Sequence, residues 1–152
     1  MRKLSLPFLL LSAAWSVASA QDEFPAAKSE TEARNLETMR LWGEEVWGNG
    51  RLELVPDLVA PEYVRHDQNG TRITTPDSYV QEIRLFRGMN MVFDTHAIAI
   101  DENLLWTRWS ANAQTPDGVE IVLKGMQVYR FADGKLAETW LLSADGEAWP
   151  DD

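Results

Sequence analysis

Between Ser29 and about Trp47 the apolar positions Leu36, Met39, Trp42 and Val46 recur at helical spacing. Glu30, Glu32, Arg34, Glu37, Arg40 and Glu44 take most of the positions between them. The pattern predicts an amphipathic helix, stopped by Gly48-Asn49-Gly50. Leu52–Val59 predicts a second, shorter helix, interrupted by Pro56 and closed by Pro61. Residues 62–74 keep no single period, and Gln68-Asn69-Gly70 marks a turn within them. Thr75 is placed to cap a third helix, with Pro76 in its first position, Asp77 in its first turn and an apolar stripe of Tyr79, Ile83 and Phe86. Gly88 ends it. On this reading all three helices precede the strands.

The second half changes period. Met91–Ile100, Leu104–Gln114, Val119–Phe131 and Leu136–Ser143 are rich in β-branched and aromatic residues. Two of their connections contain Asp-Gly (Asp117-Gly118 and Asp133-Gly134), a strong hairpin signal. Helices followed by antiparallel hairpins predict an α+β domain with helices packed on one sheet face. Strand parity adds to this. Leu104, Trp106, Arg108 and Ser110 share one face, and Leu105, Thr107, Trp109 and Ala111 share the other. The last strand likewise sets Leu136, Glu138, Trp140 and Leu142 opposite Ala137, Thr139 and Leu141. A lone sheet covered on one side has a polar second face, so bulk on both sides predicts a homodimer formed sheet to sheet.

The first twenty residues differ from the rest. Arg2 and Lys3 precede a short apolar run, and Ala18-Ser19-Ala20 supplies the small-residue pattern of a cleavage site. These features predict a signal peptide over 1–20, a flexible lead-in over 21–28 and a single domain over 29–152, exported to a periplasmic or secreted location. The run is broken by Ser5, Pro7, Ser12 and Ser16, which argues against a membrane-spanning anchor. With no cysteine in the chain, a disulfide framework and lipid attachment at a cysteine are both ruled out. The net charge is −10, and losing Arg2 and Lys3 with the leader makes it −12. So acidic a protein is repelled by phosphate backbones and anionic headgroups, so neither nucleic acid nor a membrane is an expected partner.

Tyr63-Val64-Arg65-His66-Asp67, the segment Trp106-Thr107-Arg108-Trp109, and above all the string from Gly125 to Trp140 (Gly-Met-Gln-Val-Tyr-Arg-Phe-Ala-Asp-Gly-Lys-Leu-Ala-Glu-Thr-Trp) resemble the SnoaL-like polyketide cyclases and ester cyclases of the nuclear-transport-factor-2-like superfamily. The resemblance runs from about Leu36 to Asp145. It implies a cone in which N-terminal helices pack on a strongly curved, mainly antiparallel sheet and enclose a pocket. It also implies acid/base chemistry on a small apolar molecule (polyketide-, terpenoid- or aromatic-like) without a metal or cofactor. Family members include isomerases, epoxide hydrolases and proteins without catalysis, so the fold leaves function open. The chain departs from the cyclase pattern at one point: those enzymes carry an acid directly after the tryptophan matched by Trp140, where this chain has Leu141 and Leu142.

With two histidines in the chain, proton transfer near neutral pH has few available groups. His66, Asp67 and Glu138 are the catalytic candidates. Neighbours on an extended segment point opposite ways, so His66 and Asp67 are not expected to bond to each other. For Glu138 the competing role is an ion pair with Arg108 or Arg130. Trp42, Tyr63, Trp106, Arg108, Met126 and Trp140 are the substrate-binding candidates, Arg108 through a substrate oxygen and the rest through apolar area. Trp47, Trp109, Tyr79 and Tyr129 extend the aromatic set, for which plain core is the alternative. Asp94, His96 and His66 show no ligand spacing, so no metal site is expected. An exported enzyme, a non-catalytic binder of a small apolar or aromatic ligand, and a dimeric interaction domain all remain compatible with these residues.

Overall fold

The computed structural model describes residues 24–147 and Trp149. The expected leader and the start of the lead-in lie outside that range. Helix α1 spans Glu30–Leu41, and Ser29 caps it by accepting the Glu32 N–H at 3.1 Å. A π-helical segment, Trp42–Gly48, continues it, so the single helix expected over 29–47 is two helical geometries in one run. The second helix is a 3₁₀ turn, Leu52–Leu54, followed by the single-turn α2, Val55–Leu58. Helix α3 spans Pro76–Gly88 with Thr75 as its cap, as the sequence pattern implies.

The expectation that all helices precede the strands is corrected by residues 59–74. They form a hairpin, β1 (Val59–Asp67) and β2 (Gly70–Thr74), inserted between α2 and α3. Pro61 does not stop a helix here but lies inside β1. It is tolerated because β2 pairs with β1 only from Tyr63 onward, and the β1–β6 register shifts between Val59 and Val64. The remaining strands are β3 (Val92–Asp101), β4 (Leu104–Gln114), β5 (Glu120–Ala132) and β6 (Lys135–Asp145), within two residues of expectation. Six strands form one curved sheet in the order β2-β1-β6-β5-β4-β3, antiparallel except where β1 runs parallel to β6. At the β5–β6 turn Asp133 and Gly134 both have positive φ (51° and 78°), the conformation that the Asp-Gly pair favours.

The helices pack on one sheet face, called inner below. Leu105, Tyr129, Phe131, Leu136 and Tyr63 from the sheet meet Leu36, Trp42, Val46, Val55 and Ile83 from the helices in one buried cluster. Strand parity puts Leu136 on the face of Glu138 and Trp140, but a register shift in the β5–β6 pairing between Arg130 and Phe131 turns it inward. Polar side chains of α1 fix its position against the turns. Glu32 accepts the Glu102 N–H, Asn35 donates to the Glu102 carbonyl at 3.0 Å, and Thr38 donates to the Gly134 carbonyl at 2.7 Å. The pattern had put Glu32 on the solvated face, yet its side chain is buried, because the turns and not solvent satisfy it.

Candidate functional site

Alternation along β1 sends its functional side chains two ways. Tyr63, Arg65 and Asp67 face the helices, whereas Val64 and His66 face away. On the inner face Arg65 is buried. It donates to Glu82 of α3 at 2.5 Å and places its guanidinium 4.4 Å from the centre of the Tyr79 ring. Arg72 of β2 bridges Asp67 and Glu82, the latter at 3.5 Å. Asp67, Arg72, Glu82 and Arg65 thus form a chain of alternating charges across β1, β2 and α3. The Arg72 guanidinium, helped by the Asn69 N–H, holds the Asp67 carboxyl below the usual carboxylate range. Burial works against the Arg65 charge, but Tyr79 and Glu82 outweigh it and raise its pKa. Burial pushes Tyr63 well above the ordinary phenol range and Tyr129 upward as well, so both stay neutral hydroxyls near pH 7.

The outer face holds a second, separate cluster. Parallel pairing of β1 with β6 sets His66 beside Trp140, and their rings stack with centroids 5.3 Å apart and planes 9° apart. His66 Nδ1 lies 2.7 Å from Thr71 Oγ1, and Nε2 lies 2.8 Å from Glu138 Oε1. The other Glu138 oxygen takes two hydrogen bonds from Arg130, at 2.8 and 2.5 Å. The His66 hydrogen bond, together with Arg130, keeps the Glu138 carboxyl below its ordinary range. Both ring nitrogens of His66 and both oxygens of Glu138 are therefore engaged. These contacts fix the positions of His66, Glu138 and Arg130 on the outer surface.

A half-open cleft of about 350 Å³ lies between the π-helical segment, the C-terminal end of α3 and the start of β3. That volume falls within the range of small-molecule sites. Trp47 and Phe93 form its aromatic wall, with ring centres 5.0 Å apart. Gly43 and Gly48 line it without side chains, and Arg87 and Asn90 supply its polar groups. The π-helical segment forms one wall of this opening through Gly43, Trp47 and Gly48. Its i→i+5 bonds, such as Asn49 N–H to the Glu44 carbonyl at 2.9 Å, widen the turn that carries Trp47 and Gly48.

The structure divides the sequence candidates between the two faces. Trp42 and Tyr63 are buried between helices and sheet, and Asp67 lies at the edge of the inner charge chain. His66, Glu138 and Trp140 meet on the outer face, where register also places Trp106, Arg108 and Met126. These outer residues do not line the space between helices and sheet. The absence of a His66–Asp67 bond and the Glu138–Arg130 pair are both as the sequence implied. His96 sits 2.7 Å from Ser110 Oγ, and among the described residues no group of His, Asp and Glu is arranged to hold a metal. Sequence reasoning missed Arg65, Glu82, Arg87 and Phe93. Arg87 carried no signal, because a basic residue in the last turn of a helix is ordinary.

A helical layer on a six-stranded curved sheet with a parallel β1–β6 closure is the nuclear-transport-factor-2-like architecture. Within it, residues 41–139 match the family of SnoaL-like domains, and the chain belongs to that family. Solved structures agree on the fold. A proposed polyketide cyclase from Acidithiobacillus ferrooxidans is 22% identical with a TM-score of 0.63, the match covering 78% of this chain and 91% of that one. A proposed SnoaL-like polyketide cyclase from Jannaschia sp. CCS1 gives 13%, 0.67, and the same 78% and 91%. IdmH of Streptomyces antibioticus, a proposed polyketide cyclase, gives 19% and 0.61 over 72% of this chain and 91% of its own. Among curated proteins none matches the sequence.

Proposed function

We propose that this protein is exported and receives a small apolar or aromatic molecule in the cleft beside Trp47, without transferring protons to it. The cleft itself carries the reading: an aromatic wall, two glycines that clear the space, and a volume of about 350 Å³. Against catalysis stands the state of the acids. Asp67 is paired with Arg72, Glu82 with Arg65 and Arg72, and Glu138 with His66 and Arg130. A general acid at neutral pH needs a raised carboxyl pKa, and Asp67 and Glu138 are shifted the other way. The position after Trp140 adds Leu141 and Leu142, not an acid.

A second reading, a cofactor-independent acid/base enzyme acting on such a molecule, has one observation in its favour. The inner charge chain ends at the buried Arg65, whose charge acts on the buried hydroxyl of Tyr63. Native mass spectrometry of protein taken from a secreting host separates the readings. A bound species of a few hundred daltons that returns unchanged after incubation supports binding. Conversion of that species, abolished by Glu82→Gln or His66→Ala without a fall in melting temperature, would establish the enzyme. The denatured mass tests export in the same experiment, since cleavage before Gln21 is expected.

The outer sheet face supports a homodimer as partner. Trp106, Met126, Trp140 and Leu142 are all exposed there, Met126 to 58% and Leu142 to 74%. They lie in adjacent register positions across β4, β5 and β6, so they form one apolar patch and not scattered residues.

A further inference from the structure

The cleft contains a cation whose charge no carboxylate among the described residues answers. Arg87 lines it from the last turn of α3 and makes no ion pair among the described residues. Its Nη1 donates to the Trp47 carbonyl and, at 3.3 Å, to the Gly48 carbonyl. Nε and Nη2 have no hydrogen-bond partner among the described residues, and the guanidinium lies flat over Gly50, where a Cβ would come within 2.7 Å of Nη2. The nearby acids of the π-helical segment are occupied elsewhere, Glu44 by Arg40 and Glu45 by Arg51. Two carbonyls thus hold the guanidinium in place with part of its donor fork unused.

We infer that the ligand of this cleft is a small aromatic or polycyclic carboxylate, its ring against Trp47 and Phe93 and its carboxylate on Arg87. The inference rests on the pocket reading and specifies its ligand class. A neutral ring in the cleft would strip water from Arg87 and return nothing, which costs free energy. A carboxylate restores the lost hydrogen bonds as charge-assisted ones, and the guanidinium fork matches its geometry. The net charge of −10 repels anions from most of the surface, so an anion that settles in this cleft needs a local cation, which Arg87 supplies beside the aromatic wall. Asn90 adds a neutral amide at the same rim.

Isothermal titration of the full chain with 2-naphthoate and with 2-naphthamide tests this directly. Naphthoate is expected to bind about tenfold more tightly, a difference of ~1.4 kcal/mol. Arg87→Gln should erase that preference and Arg87→Lys should keep part of it, with thermal melting run on both to confirm folding. Gly43→Leu should weaken binding of both probes, because Gly43 lines the cleft and a Cβ there meets nothing within 4 Å, so the larger side chain is accommodated where the ligand would lie. Equal affinity for the two probes overturns the carboxylate assignment and leaves the pocket reading standing. If neither probe binds, or if Gly43→Leu leaves binding unchanged, the pocket reading falls and the assignment falls with it.

Discussion

Single residues decide how closely the layers of this protein approach. Gly125 of β5 lies opposite Trp109 of β4, and a Cβ built on it would come within 2.4 Å of the indole. The glycine is therefore required by contact and not by backbone conformation. Gly125→Ala should destabilise the fold by roughly 1–3 kcal/mol in urea unfolding, the usual cost of overpacking. Glu138 gives a prediction in pH. Its folded-state pKa is lowered by His66 and Arg130, so its contribution to stability is present above the unfolded value and is lost as pH falls through the folded one. The urea midpoint of the native protein should fall on acidification below about pH 4.3, the ordinary glutamate value. In Glu138→Gln the same fall should be shallower; an identical slope would remove Glu138 as a source of the acid sensitivity.

At the scale of elements, α1 is held at its sheet contacts by polar side chains as much as by its apolar stripe. Asn35 is fully buried and donates to the Glu102 carbonyl at 3.0 Å and to Asn103 Oδ1 at 3.1 Å. Asn35→Ala leaves those acceptors without a donor and should cost about 1–3 kcal/mol in a urea titration. Helical periodicity identified α1 and α3, because their apolar positions repeat and Thr75 marks the start of α3; the capping role of Ser29 came only with the structure. The hairpin β1–β2 was not legible, because a strand with Pro61 inside it and charged residues alternating with aromatic ones carries no clear period. The π-helical winding of Trp42–Gly48 was also invisible. Its residues have the same spacing as an α-helix, and only packing selects the wider turn.

At the scale of the whole molecule, the outer sheet face asks for a cover. The patch of Trp106, Met126, Trp140 and Leu142 is flanked by the ordered His66–Glu138–Arg130 cluster, a polar rim beside an apolar centre. Light scattering of the full chain at micromolar concentration is expected to give the mass of a dimer. Leu142→Asp should yield a monomer whose melting temperature is at most slightly changed, since Leu142 is 74% exposed within one protomer. A monomeric native protein would contradict the dimer.

Sequence alone determined what depends on local chemistry: the Thr75 cap of α3, the Asp-Gly turn at Asp133-Gly134, the four long strands of the second half, and the family through the string from Gly125 to Trp140. It also determined the opposition of His66 and Asp67, because alternation along an extended chain is a local rule. Only the tertiary structure decided which face each of them joins. Parallel pairing of β1 with β6 put His66 on Trp140 and Glu138, far apart in sequence, and sent Arg65 and Asp67 to Glu82 and Arg72 on the other side. The cleft has the same origin. Trp47, Arg87 and Phe93 come from three elements, and no residue near any one of them in the chain records that the other two are there.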